Sequence, residues 1–373
     1  MVCPAHMQLP TQQRPLLPLI THIHCNLSWQ QPHRHRTAAS CRSRAQGRPR
    51  LRDRTCAVAE AVASEQPAAS VSSADTLTDG QIGVPVTANW ELDFSSRPVY
   101  DERGKKRWEL LVCSPDGSWK FAQYFPNNKI NSGQLKATLG ELLAQPGAKK
   151  PDRVRFFRNQ MQTIISRALS ELEIKPVPSR RCFHLLGWLQ ARQQEVYAKD
   201  PTYKASSVVP FALDPSPPED LPDALKGEQW SFVQLPLGTL QEELELVDQK
   251  SIFGANISLD SIGLGDLSEE TLVPGVAVYS RRAQPMAAWT AGFEVANLFP
   301  DTERACLIME VAVNRRFKYG AYRRSADSTA EAKSWQEAKE ASRGLHFLVV
   351  QSDPDAEESK GLWLLLEKEL PSI

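Results

Sequence analysis

Arg153, Arg155 and Arg158 flank Phe156 and Phe157 in the run RVRFFRNQMQTII at 153–165, followed closely by Arg167 and the amides Asn159, Gln160 and Gln162. Guanidinium forks hold phosphates, helix starts offer free N–H groups to anions, and an exposed ring can stack on a base. The run therefore offers an RNA contact, with Arg153, Arg155, Phe157, Arg158 and Gln160 as candidates. Arg180 and Arg181, just after Pro178–Ser179, are expected to approach the same sheet edge from the next helix start. In a second set, Arg315, Arg316 and Lys318 interleave with Phe317, Tyr319 and Tyr322. That pattern lets a cation meet phosphate while a ring such as Tyr319 stacks. Arg103, Lys105, Lys106 and Arg107 form a further basic turn. The competing reading makes the rings core and the cations a solvated rim, as most charge runs are.

A second chemistry is metal-dependent phosphodiester hydrolysis. Asp93 and Glu109, on successive strand-like runs, loosely resemble the acidic pair of the restriction-endonuclease-like fold, where two carboxylates hold a divalent metal. Such sites usually carry Glu-x-Lys, and here the run is Glu109-Leu110-Leu111, with Lys120 on the next strand as the nearest substitute. The alternative pairs the two acids with Arg97, Arg103 or Lys106. His184 and His346, the only histidines beyond residue 56, have no metal-ligand spacing, and no Cys-x-x-Cys, Gly-x-Ser-x-Gly or phosphate-cradling glycine loop occurs. No catalytic residue, metal ligand or cofactor is expected.

The elements that must position these residues fall into two domains. Strands at 90–94, 108–113 and 119–125, a helix at 132–143, a strand at 153–157, a helix at 158–173, an extended piece at 175–178 and a helix at about 181–199 predict an α/β first domain over 86–200. Its sheet is expected to be mixed, with a restriction-endonuclease-like arrangement as one possibility. Six prolines between 201 and 222 mark a linker over 201–225. Strands near 230–235, 275–280, 288–296, 305–314, 346–351 and 361–366 and a helix at 328–342 predict an α+β second domain over 226–370. Acidic loops are expected at 242–248, 266–270 and 353–358.

Ten blocks then carry a resemblance: WELDF at 90–94, RP at 97–98, KKRWEL at 105–110, YFPNN at 124–128, the 153–165 run, PSRRC at 178–182, FVQLP at 232–236, AQPMAAWTAGFEV at 283–295, GLHFLVVQ at 344–351 and GLWLLL at 361–366. In this order they resemble the Tab-two-like family of oxygenic phototrophs, from about Trp90 to about Glu367. The resemblance implies a plastid RNA-binding factor that promotes translation of photosystem I, and by extension photosystem II, reaction-centre messages through their 5′ untranslated regions. RNA and other translation factors are the implied partners. It implies no particular RNA-contacting residue.

Residues 1–52 hold eight Arg and five His with no Asp, Glu or Lys, the composition of an organelle transit peptide. A leader over 1–56 and a low-complexity tail over 57–85 are expected, and the resemblance directs them to the chloroplast stroma. The whole chain carries 44 basic and 44 acidic residues, and the first 56 hold nine Arg against one Asp, leaving 35 against 43, or −8. A chain of that charge does not coat any polyanion, so RNA contact requires a local patch. The same charge suits a scaffold or assembly factor that touches RNA only through a partner. Three scattered cysteines beyond the leader exclude a disulfide framework, and no apolar run approaches the roughly 18 residues of a membrane span.

Overall fold

The computed structural model describes residues 21–22, 27–28, 79–205 and 217–368. The two-residue strands β1 (Thr21–His22) and β2 (Leu27–Ser28) lie antiparallel along Gln229–Pro236. The rest of the expected leader, the tail as far as residue 78 and linker residues 206–216 lie outside the described residues.

In the first domain the period-two alternation of a long central strand sets two faces. Strands β3 (Gly80–Ile82), β4 (Asn89–Tyr100), β5 (Lys106–Cys113) and β6 (Lys120–Phe125) precede α1 (Ser132–Leu143). Next come β7 (Arg153–Phe156), α2 (Gln162–Ser170), β8 (Lys175–Pro178) and α3 (Phe183–Arg192). The sheet order is β3-β6-β5-β4-β7-β8, antiparallel as far as β4 and parallel beyond. Trp90, Leu92 and Phe94 face α1 and α2 in one core, whereas Glu91, Asp93 and Ser95 take the opposite parity, the face covered by α3. The sheet is mixed, as expected, and helices cover both faces.

Helix α1 occupies the expected span. Asn131 accepts from the Gln134 N–H at 2.8 Å as its N-cap, and Leu135, Leu139 and Leu142 form its buried stripe. The helix expected at 158–173 begins as a 3-10 turn over Asn159–Met161. The helix expected at 181–199 is α3 followed by a π turn over Gln193–Tyr197. A π turn aligns residues five apart, and it brings Tyr197 beneath Arg192, whose Nε donates to the Tyr197 hydroxyl at 3.1 Å.

The second domain comprises β9 (Glu219–Asp220), β10 (Gln229–Pro236), α4 (Leu237–Asp248), β11 (Phe253–Ala255), β12 (Leu272–Tyr279) and α5 (Ala283–Ala291). It continues with β13 (Val295–Asp301), β14 (Cys306–Val311), β15 (Arg315–Ala321), α6 (Ala326–Ala341), β16 (Leu345–Gln351) and β17 (Ser359–Leu366). One sheet runs β1-β10-β12-β16-β17-β11 with β2 also on β10, and a second runs β13-β14-β15-β9. Phe232, Val276, Leu348 and Trp363 pack with residues of α5, α6 and the smaller sheet, while Val233, Ala277, Phe347 and Leu364 pack on α4. Phe183 of α3 joins that second cluster, so a first-domain ring completes a second-domain core.

Two expectations fail here. The strand expected at 288–296 is helix α5 followed by β13. Pro285 sits in the helix's first turn, where its missing N–H has no intrahelical role, and Ala283, Met286, Ala287 and Thr290 face inward. The acidic loop expected at 242–248 belongs to α4, whose buried Leu237, Leu240 and Leu244 keep helical spacing while Glu242, Glu245 and Asp248 stay outside the core.

Candidate nucleic-acid interface

Asp93 and Glu109 are fully buried and enclosed by arginine. Arg97 bridges them, its Nη1 2.8 Å from Asp93 Oδ2 and its Nε 2.7 Å from Glu109 Oε2, while Ser95 accepts from the same Nη1 at 2.8 Å. Arg158 grips both Asp93 oxygens, and Arg192 and the Tyr197 hydroxyl donate to Glu109. Three guanidiniums thus enclose two carboxylates. Burial alone would raise the Asp93 carboxyl, but Arg158 and Arg97 hold it below its ordinary value. Of the expected partners for the acidic pair, Arg97 takes both acids. Lys120 pairs in register with Cys113, four positions from the Tyr124 that faces Glu109, roughly 13 Å along the strand. It does not complete a Glu-x-Lys set.

The candidate cluster at 153–160 divides by burial. The Phe157 ring is fully buried against α3, and the Arg158 side chain is buried on Asp93, so neither faces solvent in this conformation. Arg155 sets Nε and Nη2 on Glu294 at 3.0 and 3.3 Å, and Arg153 lies 3.7 Å from the same carboxylate while donating to Asn89 at 2.6 Å. Gln160 is exposed. Arg180 Nη1 donates to Glu310 Oε2 at 2.8 Å. Arg181 is buried and donates to the carbonyls of Val295 at 3.1 Å, Leu364 at 3.3 Å and Asn256 at 3.3 Å. Arg180 and Arg181 do share an edge with Arg153 and Arg155, as expected, and that edge is the seam with the second domain. Ser179 Oγ adds a contact to Glu294 at 3.3 Å.

The second set is a half-buried strand. Phe317 and Tyr319 point into the core, and Tyr319 meets Thr290 Oγ1 at 3.3 Å. Arg315 forks onto Glu219 at 2.9 and 2.8 Å, Lys318 reaches Asp220 at 3.2 Å, and Arg316 pairs with Glu310. Both acids of β9, which lies parallel to β15, come from the end of the Pro-rich segment.

Glu91 is a buried carboxylate beside the seam. It accepts from the Leu185 N–H in the first turn of α3 at 2.7 Å and lines a cleft of about 180 Å³ with Arg155, Arg181, Phe183 and Asn256. Burial pushes its carboxyl up to about 8, although the Leu185 N–H, Arg155 and Lys368 pull the other way. Between the ordinary carboxyl range and that value the folded chain holds a proton that the unfolded chain has lost, so stability falls as pH rises through this window. Each pH unit of it is worth about 1.4 kcal/mol. Glu91→Gln is expected to melt like the wild type at acid pH, then gain a lead that grows with pH and levels off above about 8. Thermal melts of both proteins at pH 5 and 8.5 measure it, and parallel curves would count against it.

Two family models together match most of the chain. Residues 89–192 match the N-terminal domain of RNA-binding protein Tab2/Atab2, and residues 208–366 match its C-terminal domain. Over 316 residues the chain is 42% identical to "Protein TAB2 homolog, chloroplastic" of Arabidopsis thaliana, covering 85% of this chain and 83% of that protein. Over 284 residues it is 48% identical to the protein of the same description from Zea mays, covering 76% and 73%. The Arg-rich seam and the enclosed acidic pair thus sit within two matched domains, and the chain belongs to the Tab2/Atab2 family of RNA-binding proteins.

Proposed function

We propose that this protein works in the chloroplast stroma, where it binds the 5′ untranslated region of photosystem I reaction-centre messages, and by extension those of photosystem II, and promotes their translation together with other factors. The match of both domains to an RNA-binding family carries this reading. The enclosed acids support it from the other side: Asp93 and Glu109 already have guanidinium partners, which fits a silenced relative of the restriction-endonuclease-like fold better than a working nuclease. Among the sequence candidates, Arg153, Gln160, Arg315 and Lys318 are exposed and can exchange a carboxylate or water for phosphate. Arg155, Arg180 and Arg316 are only partly buried and belong to the seam, whereas Phe157, Arg158, Arg181 and Tyr319 are framework.

Purified protein lacking the leader, titrated with labelled 5′ leader RNA over a salt series, tests this. Saturable binding is expected, with affinity falling steeply as salt rises. A scaffold that touches RNA only through a partner shows no saturable binding. The RNA should be recovered intact from the same titration with magnesium present. Cleavage that disappears in Asp93→Asn and Glu109→Gln would instead make the protein an enzyme.

A further inference from the structure

Most of the sequence-predicted cations face internal carboxylates, but one end of the first-domain sheet holds cations that do not. The C-terminal ends of β4 and β6 and the start of β5 meet there, beside the segment 199–204. The β4–β5 turn is built by Asp101, whose carboxylate accepts from the backbone N–H of Arg103 at 3.0 Å and of Lys105 at 2.8 Å. Gly104 takes φ +71° in the left-handed region, so the turn is tight and residues 102–106 are exposed. The segment 199–204 is tied to this end by the Lys204 N–H to Pro98 carbonyl at 3.0 Å and by Tyr100 N–H to Thr202 Oγ1 at 3.1 Å.

Seven cations collect at this end: Arg103, Lys105, Lys106, Arg107, Lys129, Lys199 and Lys204, against Asp101, Glu102 and Asp200. Asp101 is committed to the turn, and Asp200 accepts from the N–H and hydroxyl of Thr202 at 2.8 and 2.7 Å while lying 3.8 Å from Arg107. Arg103, Lys105, Lys106, Lys129 and Lys199 form no ion pair with any described residue. In a chain that carries −8 beyond its leader, a local excess of four positive charges is a marked concentration. Two half-buried tyrosines stand among them, with Arg107 4.0 Å from the Tyr124 ring centroid and Lys204 4.9 Å from that of Tyr100. A cleft of about 410 Å³ opens on the turn, lined by Asp101 and Glu102 as well as Arg103, Lys105, Pro126, Asn127 and Asn128. Asn127 is held by its amide donating to the Lys106 carbonyl at 3.2 Å, whereas the exposed Asn128 amide makes no hydrogen bond with a described residue.

We infer that this end of the sheet is the principal groove for single-stranded RNA, an inference that rests on the RNA-binding reading above. Arg103, Lys105 and Lys106 hold phosphates, Tyr124 and Tyr100 offer ring faces to unpaired bases, and Asn128 presents a donor and an acceptor to a base edge. Cations interleaved with partly exposed rings and a free amide suit unpaired nucleotides, whose bases are open to stacking, better than a duplex.

The test titrates the protein without its leader with a fluorescein-labelled single-stranded RNA of mixed sequence. The variant R103E/K105E/K106E is compared with K250E/K333E, a reversal of two exposed second-domain lysines that belong to neither candidate set. The first variant is expected to bind at least tenfold more weakly than wild type with a shallower salt slope, and the second within about threefold of it. Tyr124→Phe should keep affinity and Tyr124→Leu should lose it. All three turn residues are exposed, and circular dichroism checks that the fold is retained. Wild-type binding left unchanged by the turn reversals overturns this groove while the general RNA-binding reading stands. An equal fall in both charge variants overturns it too, since net charge alone gives that result. No saturable binding by the wild type overturns both.

Discussion

Glu109→Ala is expected to cost about 3–5 kcal/mol, enough to leave the first domain marginal. The carboxylate accepts from Arg97, Arg192 and Tyr197 in a space closed to water. Removing it leaves three buried guanidiniums against one carboxylate, Asp93, with Arg97 keeping only its Asp93 and Ser95 contacts. Replacing a whole buried ion network with apolar groups can be tolerated, but removing one member leaves charges without compensation. Glu109→Gln keeps the shape and some acceptor capacity and should cost less. Tyr197→Phe removes both the donor to Glu109 and the acceptor of the Arg192 Nε–H and should cost about 2 kcal/mol. Urea titrations followed by tryptophan fluorescence rank the three. A near-neutral Glu109→Ala would mean that water reaches the network and screens it.

Arg155→Glu is expected to lose about 3 kcal/mol, because it faces Glu294 with a like charge in a partly buried seam. The exchange Arg155→Glu with Glu294→Arg should recover most of that loss. Recovery is incomplete because Arg153 would then face a cation. RNA affinity of the folded protein should stay within about threefold throughout. Stability from urea curves and affinity from titration separate a seam role from a phosphate role. A tenfold loss of affinity at unchanged stability would return Arg155 to the RNA surface.

Much of the fold was legible because local signals agreed. Helix α1 has a capping Asn131 and leucines at helical spacing, and the strand run at 346–351 is buried on both faces around the continuous apolar stretch 347–350. Helix α4 is masked by the acids that dominate its composition, and α5 by Pro285, which a helix tolerates in its first turn. The roles of the arginines were illegible for a different reason. Arg155 and Glu294 lie 139 residues apart, and Arg180 and Glu310 lie 130 apart, so no local window contains both partners. The cation–aromatic alternation at 315–319 was a strand showing its two faces, and Phe317 and Tyr319 took the inner one. A sharper signal lay in YFPNN and KKRWEL, which the hairpin brings together: the first supplies the amides Asn127 and Asn128, the second the cations Lys105 and Lys106.

The seam is fastened by residues that are translated long after the first domain. Arg181 donates to the Leu364 carbonyl across 183 residues of sequence, and Lys368 Nζ reaches the Phe183 carbonyl at 3.5 Å. A polypeptide synthesised from its N terminus therefore finishes the first domain while β17 is still missing. Until those eight residues of strand arrive, the Arg181 guanidinium lacks one of its carbonyl partners and the Phe183 ring lacks part of its cover. A product terminated before β17 keeps a whole first domain with an unsealed cationic edge, so the arrival of β17 sets when the seam can close.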